Sequence, residues 1–493
     1  MILDAKTSDL NQIHSPGSPI KAKNSSVSNK IAAPKKPLAE KSELTKNSIN
    51  NTSQSWFHRN LGTKRELPFR LPGQNLEWLQ SCRKVAREHF IKYGFPQKGE
   101  ESWKYTRTNL ITKGEYSFPE PLSIKLDVEE IAHLIQVDKS EFRMVFVNGY
   151  FTPHLSSLMK VPRELTIKSL AEILDNRPEL AEPYLARIVK TDRQGFCAIN
   201  TTAMNDGAFI HIPANTKLTH PIHLLYLNYS QNKPIICQPR NLFVFDHNSE
   251  AMVVENHVSL SENSHFCNSV TEIDLGDGAK LNHQWVQNEN PLALHISTLT
   301  AKQGADSQFT SNNFALGAAL CRSDVDSKLE GEGAKCTING FYLTDNNRHM
   351  DFHTRIDHFK PHCRSQELVK GILAQKSRGV FNGKLVVHPG ANGTDASQKN
   401  ANLLLSKEAE ADSKPELEIF ADDVKCAHGA TVGQLDGDAL FYLTSRGIAK
   451  KEAEQLLTMG FAQEVIDLID HQPWQRWVRE LIQKRLTHFL GAP

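Results

Sequence analysis

The feature that most constrains this chain is a turn that keeps returning. Gly278-Ala279-Lys280, Gly304-Ala305-Asp306 and Gly333-Ala334-Lys335 repeat a Gly-Ala-polar triplet at intervals of 26 and 29 residues. Between the triplets the text breaks into short strands with almost no helical period. In KLNHQWVQN, for example, Leu281, His283 and Trp285 share one face. A strand-bearing unit repeated at a nearly fixed interval stacks on its neighbours, which makes a parallel β-helix the expected core. A two-sheet sandwich competes, but its turns recur at roughly 8–12 residues. A solenoid core is narrow, and the 39% hydrophobic content fits one.

The solenoid texture fills residues 191–425. Residues 1–55 are rich in Ser, Asn, Lys and Pro and nearly free of aromatics, so they read as a disordered tail. Residues 56–190 read as an α/β region. Leu76, Leu79, Val85, Phe90 and Ile91 form an apolar helical stripe stopped by Gly94 and Pro96, and SIKLDVEEIAHLIQ and TIKSLAEILDN read as further short helices. EFRMVFVNGYFTPHLS reads as strand, Asn148-Gly149 turn, strand. Residues 426–493 read as helices, with Asp436 or Asp438 as N-cap and Gly447 as the stop. Their many apolar residues, from Phe441, Tyr442 and Leu443 to Ile469, Trp474 and Trp477, are expected to cover the solenoid's end and to leave a patch for a partner. A chain cut after about residue 432 is then expected to keep a folded β-helix.

Composition excludes several functions. Fifty-seven basic residues against fifty-six acidic ones give a formal charge of +1, which argues against nucleic acid or an anionic membrane as the main partner. No stretch approaches the roughly 20 apolar residues of a membrane span, and MILDAKTSDL lacks the order of a secretory signal. Eight scattered cysteines without a CxxC fit a reducing cytosol. Gly383-Lys384 is followed by leucine, so there is no phosphate loop; HExxH and GxSxG are absent too, and an enzyme is not expected. A β-helical polysaccharide lyase or hydrolase would need a secretory signal and a charged cluster along one face, and neither is clear.

Two sets of candidate metal ligands stand out. His349, His353, His358, His362 and Cys363 are densely spaced, but strand alternation sets 358 and 362 on the opposite parity to 349, so they converge only through a turn. Stacked polar residues are the plainer reading. Cys426 and His428, in DDVKCAHGATVG, point the same way along a strand, and a thiolate beside an imidazole suits iron or zinc. A buried cysteine beside a hydrogen-bonded histidine is the structural alternative.

The stretch LEIFADDVKCAHGATVGQLDGDALFYLTSRGIAKKEAEQLLTMGFAQEVID closely resembles the C-terminal signature of the SufB/SufD family of iron–sulfur cluster assembly proteins. FVNGYFTPHLS, the run at 351–358 and VFNGKLVVHPGANGTDASQKNANLLLS are similar to that family as well, from about residue 56 to the end. ESWKYT at 101–106, and the ending without a glutamate-rich helix, resemble the SufD branch. The resemblance implies a right-handed parallel β-helix flanked by helical regions. It implies a non-catalytic cytoplasmic scaffold that pairs with a SufB-like paralogue and docks a SufC-like ABC ATPase. On its own, such a chain is expected to be able to form a homodimer. It places the interface histidine on His428 and its neighbouring cysteine on Cys426, as ligands of a nascent iron–sulfur cluster shared with SufB. It leaves flavin binding open. Where SufB carries its sulfur-accepting cysteine this chain has Lys302, which supports the SufD branch and leaves a SufB-like sulfur-accepting scaffold as the alternative within the family.

Overall fold

The structure, a computed structural model, describes residues 55–490 apart from 63–66, 68, 98, 121–125, 135–141, 159–160 and 190–194. The expected tail, apart from Ser55, lies outside the described residues.

From Glu250 onward the chain alternates between two sheets. Glu250–Ser259, Lys280–Asn288, Gln308–Ala315, Lys335–Thr344, Arg364–Leu373, Thr394–Leu404 and Val424–Gly433 stack in one. His265–Leu275, Leu294–Gln303, Leu320–Leu329, His349–His358, Arg378–Val387 and Glu410–Ile419 stack in the other. All these neighbours pair in parallel, so each coil lends one strand to each sheet, and the β-solenoid has about eight turns. Parallel pairing excludes the hairpin-built sandwich.

The turns form a spine of their own. Asn248, Gly278, Asp306, Gly333, His362 and Gly393 each have φ between 53° and 71°... the one backbone state that turns every corner alike. The amide of each donates to a carbonyl one coil further on: Gly278 to Ala305 at 2.7 Å, Asp306 to Glu332 at 2.8 Å, Gly393 to Asp423 at 2.7 Å. The Gly-Ala triplets mark three of these six corners. Asn248, His362 and Gly393 hold the other three, and in the second triplet Asp306 takes the left-handed state that glycine and short polar side chains tolerate.

Inward-facing residues stack coil on coil, as in Ala251, Leu281, Phe309, Cys336, Ser365, Ala396 and Cys426. The main core cluster joins the two inner faces, with Phe309, Ile338, Leu299 and Val325 all buried. At its beginning the solenoid is closed. Phe142–Val147 joins one sheet beside Ile222–Asn228 and turns back through Asn148 and Gly149, both at positive φ, into antiparallel Tyr150–Phe151. Thr166–Ser169 likewise runs antiparallel to Ala208–Ile212. The α/β region therefore supplies the first strands of the solenoid. A buried pair fastens it: Arg240 donates to Glu272 Oε1 at 3.1 and 2.5 Å, and the amides of Ala186, Ile188 and Val189 donate to the same carboxylate.

Helix Glu77–Tyr93 forms where the spacing places it, but it buries Leu79, Arg83, Ala86 and Phe90. Val85 and Ile91 are 60% and 52% exposed, so the true stripe is narrower and includes an arginine whose Nη2 donates to the Pro72 carbonyl. The described part of SIKLDVEEIAHLIQ forms helix Val128–Ile131 with its capping box, continued by the 3-10 turn Ala132–Leu134, and TIKSLAEILDN forms a strand followed by helix Leu170–Asn176.

The C-terminal helices run Gly437–Ser445, Lys450–Ile466 and Gln472–Leu490. Asp436 caps the first, accepting from the amides of Asp438 and Ala439, and Gly447 follows it at φ 87°. The last two do not cover the solenoid's end as expected. Ala462, Val465, Trp474, Val478 and Ile482 pack instead on Val254, Val286, Phe314, Phe341 and Ile372, the outer face of one sheet. The reason is chemical: that face is apolar along its length and demands cover. Trp474 Nε1 donates to Gln284 Oε1 at 3.1 Å, and Lys370 Nζ pairs with Glu464 at 2.5 Å. A cut after residue 432 would uncover this face, so it is not a harmless truncation. Among the described residues, no helix is long and apolar enough to cross a membrane.

Candidate functional site

With the helices on the flank, the far end of the solenoid stays open. Val424–Gly433 is the last strand of one sheet and Glu410–Ile419 the last of the other. Among the described residues each pairs on one side only, and Ile419, Phe420 and Val432 are exposed at this end. Residue 426, the expected start of the helical region, lies within the final strand, whose local sequence VKCAHGATVG alternates small and polar residues.

Cys426 and His428 both sit on this strand, two residues apart and so on one face, with Cα atoms about 7 Å apart. Cys426 pairs with Ala396 and packs against Leu385, Val387, Ala391 and Val424. Burial, then the nearby Asp395, pushes its thiol above the usual range, so it stays protonated until a cation replaces the proton. His428 is exposed and makes no side-chain hydrogen bond among the described residues. Its partner in the register is Gln398, and the next inward residue is Glu367. Gln398 Nε2 donates to Glu367 Oε2 at 2.7 Å. Burial raises the Glu367 carboxyl to about 7, against the opposing effect of the hydrogen bond from Gln398. The open end thus offers one thiol and one imidazole, backed by a buried acid. Two donors are too few to hold iron or zinc alone, so a partner's groups would have to complete the shell. Sequence reasoning missed Gln398 and Glu367, because only strand register stacks residues 30 apart behind His428.

The histidine-rich run does not converge. His349 Nε2 lies 2.7 Å from Thr106 Oγ1, and His353 Nε2 lies 3.0 Å from Asp351 and 3.1 Å from Arg322 Nη1. Arg322 also donates to Asp324 and stacks 3.8 Å from the Trp103 ring. ESWKYT is therefore a clamp against the outer face of the solenoid. His358 turns inward to Ser365, and Cys363 Sγ contacts the Gly331 carbonyl. Lys302 lies outward, 3.8 Å from both Asp274 and Glu330. Gly383-Lys384 is mid-strand, with Lys384 paired to Glu418 at 2.6 Å, which is no phosphate cradle.

Fold and site together define a β-solenoid with one closed end and one open end that carries Cys426 and His428. Comparison with known proteins gives this class its family. The SufBD core domain of the SUF iron–sulfur cluster assembly system matches residues 227–461, and the SufBD N-terminal region matches residues 70–224. An iron–sulfur cluster assembly SufBD family protein of Synechocystis is 35% identical over 416 residues, 83% of this chain and 91% of the relative. SufD of Escherichia coli is 30% identical over 443 residues, 89% and 97% of the two chains. SufD of Bacillus subtilis is 26% identical over 423 residues, 84% and 95%. The chain belongs to the SufBD family of iron–sulfur cluster assembly proteins, with SufD among its homologues.

Proposed function

We propose that this chain is a non-catalytic, cytoplasmic scaffold that pairs through its open end with a SufB-like paralogue and there helps to hold a nascent iron–sulfur cluster. The observation that carries the reading is the unpaired edge of Val424–Gly433, with Cys426 and His428 on it. A second parallel solenoid laid against this end would extend both sheets, satisfy their free backbone groups and bring its own ligands to the two already present. Cys426 would bind as thiolate after losing its proton to the incoming metal, and His428 through a neutral imidazole nitrogen. Two copies of this chain could meet the same way when the paralogue is absent.

The ATPase surface is helix Gly437–Ser445, where Phe441 is 72% exposed and Tyr442 57% exposed, beside Leu456 on the next helix. Exposed aromatics on a helix whose neighbours are anchored to the solenoid make a lever on which nucleotide-driven movement could act. The decisive experiment co-expresses the chain with SufB- and SufC-like proteins and reconstitutes the complex anaerobically. His428→Ala should leave the complex assembled and abolish cluster formation, counted as bound iron and sulfide. Normal cluster yield in that variant would make His428 merely structural.

A further inference from the structure

A second ligand set lies inside the solenoid, on strands that the open end does not use. His257 comes from strand Glu250–Ser259, Cys267 from His265–Leu275 and His295 from Leu294–Gln303. Cys267 and His295 are register neighbours in one sheet, while His257 faces them from the other. Their ligand atoms all lie within 4.8 Å of one another, and all three side chains are buried.

The hydrogen bonding around them is lopsided. Glu289 accepts from His295 Nδ1 at 2.7 Å and from His265 Nε2 at 2.8 Å, which fixes the His295 tautomer and leaves Nε2 with a free lone pair. Among the described residues that Nε2 has no hydrogen-bond partner, and neither nitrogen of His257 has one, although a buried ring nitrogen without a partner weakens the fold. The Cys267 thiol is pushed far up by burial, then by Glu289, so without a cation it stays protonated. Two carboxylates stand behind the imidazoles, Glu289 against His295 and Glu255 with Oε2 3.9 Å from His257 Nε2. A divalent ion with one thiolate carries a net positive charge, which the two carboxylates would more than offset.

We infer that His257, Cys267 and His295 form a buried metal site for a borderline divalent cation, ferrous iron or zinc. Binding replaces the Cys267 S–H proton, which leaves to solvent, with a metal–sulfur bond, and the metal takes one ring nitrogen from each histidine. Tetrahedral shells at 2.0–2.3 Å set ligand atoms about 3.3–3.8 Å apart, so the three close up by about 1 Å. The site needs neither Cys426 nor His428, and stands whether or not the cluster reading does.

The test refolds the full chain with cobalt(II) and then removes loose metal with a chelator. Wild type should retain a single equivalent, with a thiolate-to-cobalt charge-transfer band and the strong visible bands of a tetrahedral ion. Cys267→Ala should lose the charge-transfer band, and Cys426→Ala should keep it. His295→Gln should keep the fold and weaken cobalt binding at least tenfold. A further measurement needs no variant: bound zinc should slow alkylation of Cys267 in urea at least tenfold, and leave Cys336 unchanged. Metal content after anaerobic purification then tells iron from zinc. No chelator-resistant cobalt in wild type, a band that survives Cys267→Ala or disappears in Cys426→Ala, or equal alkylation with and without zinc would overturn the site.

Discussion

Glu367→Gln isolates the buried acid behind His428. In the folded chain burial raises this carboxyl to about 7, while in the unfolded chain it titrates near 4.5. The native state therefore holds a proton that the unfolded state has released, and stability contributed below pH 4.5 is lost as pH rises through 7. At 1.36 kcal/mol per pH unit, the whole loss is on the order of 3 kcal/mol, and about 2.5 kcal/mol of it falls between pH 5 and pH 8. Glutamine keeps the shape and the hydrogen bond with Gln398 but cannot ionise, so the variant lacks this slope. Urea denaturation followed by tryptophan fluorescence, at pH 5 and pH 8 on both proteins, gives the comparison. Wild type should lose about 2.5 kcal/mol more than Glu367→Gln over that interval. Half-buried Asp326, also raised to about 7, titrates in both proteins and cancels in the difference. Parallel pH profiles would refute the claim that Glu367 is held protonated.

Arg240→Ala should destabilise the chain by about 3–5 kcal/mol in the same assay, because Glu272 would keep its buried charge without the guanidinium; a loss under about 1 kcal/mol would show that the three amides suffice. Trp474→Ala should cost about 3–5 kcal/mol and speed proteolysis of the last helix, since the ring is fully buried, stacked 4.5 Å from Trp477 and bonded to Gln284; unchanged proteolysis would refute anchoring by this residue. His428→Ala should change stability by no more than about 0.5 kcal/mol, because the side chain is exposed. The pair Phe441→Ala and Tyr442→Ala should weaken ATPase pull-down at least tenfold with the melting temperature unchanged, and full-strength binding would remove that helix from the interface.

The sequence by itself determined the kind of fold. Turn chemistry is local: a corner that needs a left-handed residue shows itself wherever glycine supplies it, and Gly278 and Gly333 made the period visible. Alternation is local too, so Leu281, His283 and Trp285 face one way in the sequence and in the structure alike. The Asp436 cap and the Gly447 stop are matters of a single helical turn and were legible for the same reason. Cys426 and His428 could be placed on one strand face, two residues apart, from their spacing.

What spacing could not supply is register between coils and the choice of which apolar surface covers which. Glu367 and Gln398 come behind His428, and Cys267 beside His295, because strands about 30 residues apart pair without slipping. The last two helices were legible as amphipathic, yet an apolar stripe carries no address. The long outer face from Val254 to Leu403 drew them to the flank, because it is lined with apolar side chains that gain from being covered. That tertiary decision left the end open, with Cys426 and His428 on its last strand.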